Sequence, residues 1–245
     1  MKTDLLHTYR LARLDLALIF RNRSALTNAV LMPLAVTAFL IWTAREGGQD
    51  GVNYIVTGQI AALVVFAPLV NLAGFYTSRR EELVLKRLLG GPASATAILG
   101  GSALGAVVVY LIQVLAVVAA AVALDVGLPG NPLLVLVAVL GGAAVFALLS
   151  MVISGVSSSG ELAQLATVPV MLICLALTPV IVPAGALPER IEQFAAYLPM
   201  TPIVDMVRAG YGDALQWQSP LVLAAWAAVA AVLARRFFRW DPRRG

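Results

Sequence analysis

The chain has 245 residues, 60% of them hydrophobic and 12% charged, with a formal net charge of +4. A soluble domain carries about 25% charged and about 45–50% apolar residues, so there is too little polar surface here to coat a globule. The one cysteine, Cys174, excludes an internal disulfide framework, and the one histidine, His7, excludes a histidine-rich metal site.

Residues 4–23 read as a helix on the membrane surface. Leu5, Tyr9, Ala12, Leu16 and Ile19 recur at helical spacing, and Arg10, Arg13 and Arg21 interrupt the apolar pattern. No long apolar core and no small-residue cleavage site follow Lys2, so the first span is expected to serve as an uncleaved insertion signal. Six apolar stretches then match a bilayer core of about 30 Å. They cover about 24–43, 54–76, 97–124, 132–154, 162–183 and 219–238.

Between the second and third lies RREELVLKRLLGGPASA, residues 79–95. Placing Arg79, Arg80, Lys86 and Arg87 at mid-bilayer would cost on the order of 10 kcal/mol, so this loop stays in water or at the interface. The fourth and fifth spans are separated by GVSSSGE, Gly155 to Glu161. A tight turn is expected there, because an unbroken helix of about 50 residues would overshoot any bilayer.

Residues 184–218 hold Glu189, Arg190, Glu192, Asp205, Arg208 and Asp213 with Pro188, Pro199 and Pro202. That segment is expected to be extracellular, interfacial or re-entrant, with Ile191, Phe194, Ala195 and Leu198 on one face of a short helix. The expected fold is an all-α membrane protein, one transmembrane domain over 1–245. It has six transmembrane helices, an N-terminal interfacial helix over 1–23 and a short extracellular helical segment.

Charge segregates along this plan. Five basic residues precede the first span, four lie in 79–95 and five (Arg235, Arg236, Arg239, Arg243, Arg244) close the chain. Only Arg45, Arg190 and Arg208 fall on the other side. The positive-inside rule therefore puts both termini and the 79–95 loop in the cytoplasm. Gly100, Gly101, Gly105, Gly141 and Gly142 suit close helix contact in lipid.

Lysine occurs only at positions 2 and 86, and neither follows a phosphate loop of the GxxxxGK[ST] type. No G-x-S-x-G elbow is present, so no catalytic residue is expected. The only candidate for a carboxylate titrating at depth is Glu161, which lies beside the turn, so proton coupling lacks its titrating group and the energy source is expected outside the chain. The spans carry neutral polar residues. Asn28, Thr37, Gln59, Asn71 and Gln113 are candidates to line a substrate path, against the plainer reading of interhelical hydrogen bonds.

Residues 79–105, RREELVLKRLLGGPASATAILGGSALG, resemble the loop and following span of ABC exporter permeases of the drug and polysaccharide type. The resemblance lies in Arg80, Glu81 or Glu82, Leu85 with Arg87 and Leu88, Pro92, and Gly100–Gly101. GGPAS stands where a small residue, Thr and Pro are more usual. LPMTPIVDMVRAGYGD, residues 198–213, is similar to the stretch before the last span, with Pro199, Pro202, Asp205 and Arg208 in register.

The resemblance implies a plasma-membrane permease that pairs with a second copy or homologue. It also implies two separate ATPase subunits, which bind ATP and Mg, and a hydrophobic or amphipathic cargo such as a drug, antibiotic or lipid-like molecule. It implies that 79–95 forms a cytoplasmic coupling helix, with Arg79, Arg80, Glu81, Glu82, Leu85, Lys86, Arg87, Leu88 and Leu89 meeting the ATPase. Such a chain is no enzyme alone and holds no cofactor or metal; its further partner is membrane lipid, not nucleic acid. The plainer reading of the loop is a helix on anionic lipid. The rival for the whole chain is an ion-driven or passive transporter that works without an ATPase.

Overall fold

Prolines and glycines set where the helices of this chain begin, bend and stop. In the computed structural model, which describes residues 2–181, 183 and 185–241, all regular structure among the described residues is helical. Helix α1 covers Lys2–Arg21 and α2 Arg23–Leu26, and a π turn at Thr27–Leu31 leads into α3, Met32–Ala44. A 3₁₀ turn at Arg45–Gly47 precedes α4, Gly48–Ala62. A 3₁₀ turn (Leu63–Val65) and a π turn (Phe66–Asn71) separate α4 from α5, Leu72–Glu81. The short α6 is Val84–Leu89, followed by α7, Ala95–Ala123, α8, Pro132–Val156, and α9, Gly160–Leu177. Two short helices, α10 (Glu189–Ala195) and α11 (Thr201–Tyr211), precede α12, Ser219–Phe237.

Among the described residues, five helical runs are long and apolar enough to cross a membrane, the first being Thr27–Glu81 with 55 residues. That run folds back on itself. Thr37 Oγ1 donates to Gln59 Oε1 at 3.1 Å, whereas 22 residues of straight helix would hold them roughly 33 Å apart. The reversal sits at Gly48, whose φ of +69° is open to glycine and strained for other residues. The second arm starts about six residues before the expected position, because the turn takes only Arg45–Gly48.

Pro33 and Pro68 explain the two π turns. Proline has no N–H to offer the carbonyl four residues back, and its ring crowds that turn. The carbonyl left by Pro33 belongs to Ala29, and Gln113 Nε2 donates to it at 2.7 Å. Before the break at Pro68, Tyr110 Oη donates to the Ile60 carbonyl at 2.8 Å. Two polar side chains of α7 thus supply donors to backbone carbonyls of the bent run. The α8–α9 connection is the expected tight turn: Ser159 caps α9, accepting from Leu162 N at 3.2 Å. Helix α9 ends at Leu177 because Pro179 forces Thr178 into extended backbone.

Lipid provides no hydrophobic drive between helices, so close packing must hold the bundle. Gly101 faces Leu11 of α1, Gly141 faces Leu223 and Gly142 faces Ile203, each so close that an added Cβ would lie under 3.0 Å away. Gly105 lies against Asp15, while Gly100 meets only the Thr8 methyl. Two closer approaches, to backbone, were not foreseen: a Cβ at Gly58 would strike the Val180 carbonyl oxygen, and one at Gly155 that of Phe237.

The bundle has two distinct ends. One gathers α1, α6, the α8–α9 turn and the residues after α12. There Gly160 N donates to Glu81 Oε2 at 3.0 Å, Lys86 is ion-paired with Asp241, and Phe238 stacks edge-on against Tyr76. The other end gathers the Gly48 turn, the α7–α8 connection and α11. There Gln49 Nε2 donates to Leu124 O at 3.0 Å and Asn131 N to Gly210 O at 2.9 Å. Arg243 and Arg244, which the charge count includes, lie outside the described residues.

Candidate functional site

The charged stretch 79–95 folds as the end of α5, a sharp corner, and α6. Leu83 makes the corner with φ +60° and ψ +14°, a left-handed conformation that costs a non-glycine residue about 1–2 kcal/mol. Gly90, Gly91 and Pro92 stop α6, and Ser94 caps α7, accepting from Ala97 N at 3.2 Å.

Arg79 and Arg80 turn inward, in different directions. Arg79 is ion-paired with Asp15 of α1, its Nη1 donates to Ser102 Oγ of α7 at 3.3 Å, and its guanidinium lies 4.0 Å above the Phe75 ring. Ser102 Oγ also donates to Asp15 Oδ2 at 3.0 Å, closing a triangle among α1, α5 and α7. Burial pushes the Asp15 carboxyl up from its ordinary value, while Arg79 and Ser102 hold it back.

Arg80 is 1% exposed and donates to Ser154 O at 2.6 Å and to Ser157 O at 2.5 Å. It therefore caps the C-terminus of α8, where helix carbonyls lack partners and carry partial negative charge. Thr77 Oγ1 supports the same contact, donating to Ser154 Oγ at 3.0 Å.

This corrects part of the sequence reading. Arg80 and Leu85, expected to face a partner, are buried, Leu85 at 0% exposure, and Arg79 is committed to α1 and α7. The carbonyls and the aspartate that draw the arginines inward lie more than 60 residues away in sequence. Glu81, Glu82, Lys86, Arg87 and Leu89 are exposed and Leu88 is half-buried. Of these, Glu81 also accepts from Gly160 at the start of α9. Leu83, exposed at the corner, adds an apolar group to the same outer face.

The five candidate path residues divide. Thr37, Gln59 and Gln113 are buried and bonded within the bundle, so they serve packing. Asn28 and Asn71 line a cavity of about 450 Å³ between α1, the bent run and α7, together with Asp15, Phe66, Phe75 and Gln164.

Over residues 22–236 the chain matches the family described as ABC-2 family transporter protein. The chain belongs to that family. No individual curated protein matches it. The chain is thus a membrane-spanning transport subunit of an ABC-2 transporter, a multi-pass protein whose matched region, residues 22–236, is the membrane domain and not an ATPase domain. An ABC-2 permease implies an ABC ATPase partner.

At the far end of the permease, α11 is drawn deep into the bundle: Ile203, Val204 and Val207 are each 0% exposed, and Pro199 and Pro202 are buried. Asp205 and Arg208 stand three residues apart, a spacing that suits an ion pair on one helix face, yet each finds a different partner. Ser219 Oγ at the start of α12 donates to Asp205 Oδ2 at 2.9 Å, and the Arg208 guanidinium lies 3.7 Å above the Tyr54 ring. Each residue fastens α11 to a different helix.

Burial pushes the Asp205 carboxyl above its ordinary value of 3.8, against the Ser219 hydroxyl and the nearby Arg208 charge. The stability linked to such a raised group is full below its unfolded value and is lost as pH rises through its folded value. The permease should therefore gain thermal stability as pH falls from 7 toward about 4. Asp205→Asn keeps an oxygen for Ser219 and should flatten that gradient, ending above wild type at pH 7. Unfolding midpoints of both proteins at the two pH values check this.

Proposed function

We propose that this permease forms half of the membrane pathway of an ATP-driven exporter. Two copies, or this chain and a homologue, pair in the plasma membrane, and two separate ATPase subunits holding ATP and Mg dock at the α6 end. Counting the Thr27–Glu81 hairpin as two crossings makes six, so both termini share one side, and the excess of basic residues there supports a cytoplasmic assignment. ATP-driven closure of the ATPases pushes on α6, and the cargo is a hydrophobic or amphipathic drug, antibiotic or lipid-like molecule.

One observation carries the reading. The outer face of α6 mixes exposed charge (Glu82, Lys86, Arg87) with exposed leucine (Leu83, Leu89), while its roots are clamped through Arg79 and Arg80 to α1, α7 and α8. A helix resting passively on lipid needs no such anchorage; a lever does. The cavity beside Asn28, Asn71 and Phe75 suits an amphipathic cargo, since amides and apolar groups alternate on its wall.

Single cysteines at Glu82 and Asp213, both exposed, test the orientation, since the native Cys174 is buried. In intact cells a membrane-impermeant maleimide should label Asp213→Cys and spare Glu82→Cys until the cells are opened. The reverse pattern overturns the cytoplasmic placement. Substrate flux through liposomes holding this chain alone would instead favour transport without an ATPase.

A further inference from the structure

A second pocket, of about 260 Å³, opens at the end of the bundle away from α6. Its wall is made by Asp50, Asn53, Tyr54 and Thr57 of α4, Val126 of the α7–α8 connection, Arg208 and Tyr211 of α11, and Asp213 beyond it. For a membrane protein this is a polar hole, and it is under the roughly 300–1,000 Å³ that drug-sized molecules occupy. Three of its polar atoms are shielded and lack a hydrogen-bond partner among the described residues: Asn53 Oδ1, Arg208 Nε and Tyr211 Oη. Buried polar atoms of this kind are normally satisfied, so a ligand or ordered water is called for.

The charges select among ligands. Arg208 is the one cation on the wall, and no carboxylate of the described residues lies within 4.0 Å of it. It is held in place by the Tyr54 ring at 3.7 Å and by a long contact of Nη2 with the Tyr54 carbonyl at 3.5 Å. A lone anion on Arg208 would face two carboxylates, Asp50 and Asp213. A lone cation on those carboxylates would leave Arg208 and Tyr211 unsatisfied and add a second positive charge. A group carrying both signs answers every side chain of the wall.

We propose that this pocket binds a small zwitterion. Its phosphate or carboxylate sits on Arg208 and Tyr211, and its ammonium sits between Asp50 and Asp213 with Asn53 accepting a hydrogen bond. The source is either a free zwitterion or the head of a zwitterionic phospholipid, since Tyr54 and Arg208 are residue types suited to headgroup depth. Occupancy would tie α4 to α11. The site needs no ATPase, so its failure leaves the exporter reading untouched.

Two arms on the purified permease test it. Calorimetric titration in a non-ionic detergent uses sn-glycero-3-phosphoethanolamine, with glycerol 3-phosphate and ethanolamine as its separated halves. Hydrogen exchange at residues 48–57 and 204–213 is followed in nanodiscs of phosphatidylethanolamine against phosphatidylglycerol. The zwitterion should bind at least tenfold more tightly than either half, and Arg208→Gln should remove the binding. Because Arg208 also braces Tyr54, the exposed pair Asp50→Asn with Asp213→Asn is the second variant. It should reduce zwitterion affinity about tenfold, to the level of glycerol 3-phosphate. Binding of the soluble compound supports a free ligand; slowed exchange in phosphatidylethanolamine alone supports a lipid head. Equal affinity for zwitterion and halves, no response in either arm (water only), or an unaffected double variant overturns the proposal.

Discussion

Replacing Arg80 by alanine is expected to cost this permease about 4 kcal/mol of stability, from two charge-assisted hydrogen bonds at roughly 1.5–3 kcal/mol each. A buried charge is not by itself stabilising, and exchanging a buried ion pair for apolar residues is often neutral. The acceptors decide the matter here. They are the backbone carbonyls of Ser154 and Ser157, which no substitution at position 80 removes. Without the guanidinium they stay buried and unpaired at the C-terminal end of α8, where the helix dipole adds to the penalty.

Neighbouring backbone cannot slide in to help. Gly155 is already pressed against the Phe237 carbonyl, leaving no slack between α8 and the end of α12. Arg80→Met should therefore be nearly as damaging as Arg80→Ala despite filling the space. Arg80→Lys, with one ammonium for two carbonyls, should recover about half. Heat-survival curves of the three purified variants rank them, and a methionine variant as stable as wild type would remove the capping role.

Length, hydropathy and charge position made the bundle legible, because lipid leaves a backbone few alternatives to the helix. The turn at Ser157–Ser159 and the gathering of basic residues at one end follow from local chemistry, whereas the fifth span, expected over 162–183, stops earlier because Pro179 ends α9 at Leu177. Partner choice is where local chemistry runs out. Arg79, Arg80, Lys86 and Arg87 look alike in sequence, yet Asp15 and the end of α8 capture the first two while Arg87 is left outside.

The same holds at the other end. The i,i+3 spacing of Asp205 and Arg208 suggests a pair, but Ser219 and Tyr54 win the two side chains once α11 is drawn into the bundle. Likewise Thr37, Gln59 and Gln113 could not be told from path residues by spacing, since Pro33 creates a need for Gln113 that is visible only when α7 lies beside the break.

These captures define a mechanical route. Under the proposed coupling, a push on α6 would reach α5 at the Leu83 corner, then α1 and α7 through the Arg79 contacts and α8 through the Arg80 contacts. The cavity beside Asn71 and Phe75 shares Asp15 and Ser102 with that route, so displacement of α5 reshapes its wall. Energy enters only if a partner grips the exposed face.

Reversing that face with Arg87→Glu together with Leu89→Asp should reduce ATPase co-purification more than tenfold and leave membrane insertion and thermal stability unchanged. Arginine anchors at interfaces are worth about 2 kcal/mol or more, and each 1.4 kcal/mol is tenfold in affinity. Adding a carboxylate at Leu89 also removes an apolar contact. Both side chains are exposed and neither makes a hydrogen bond or ion pair among the described residues, which separates their effect from that of Arg79, Arg80 and Leu85. The comparison with Lys86→Ala sharpens the test, because Lys86 already pairs with Asp241 and should matter less. If the doubly substituted permease retained its ATPase at wild-type levels, α6 would be a lipid-facing corner and the drive would have to enter elsewhere.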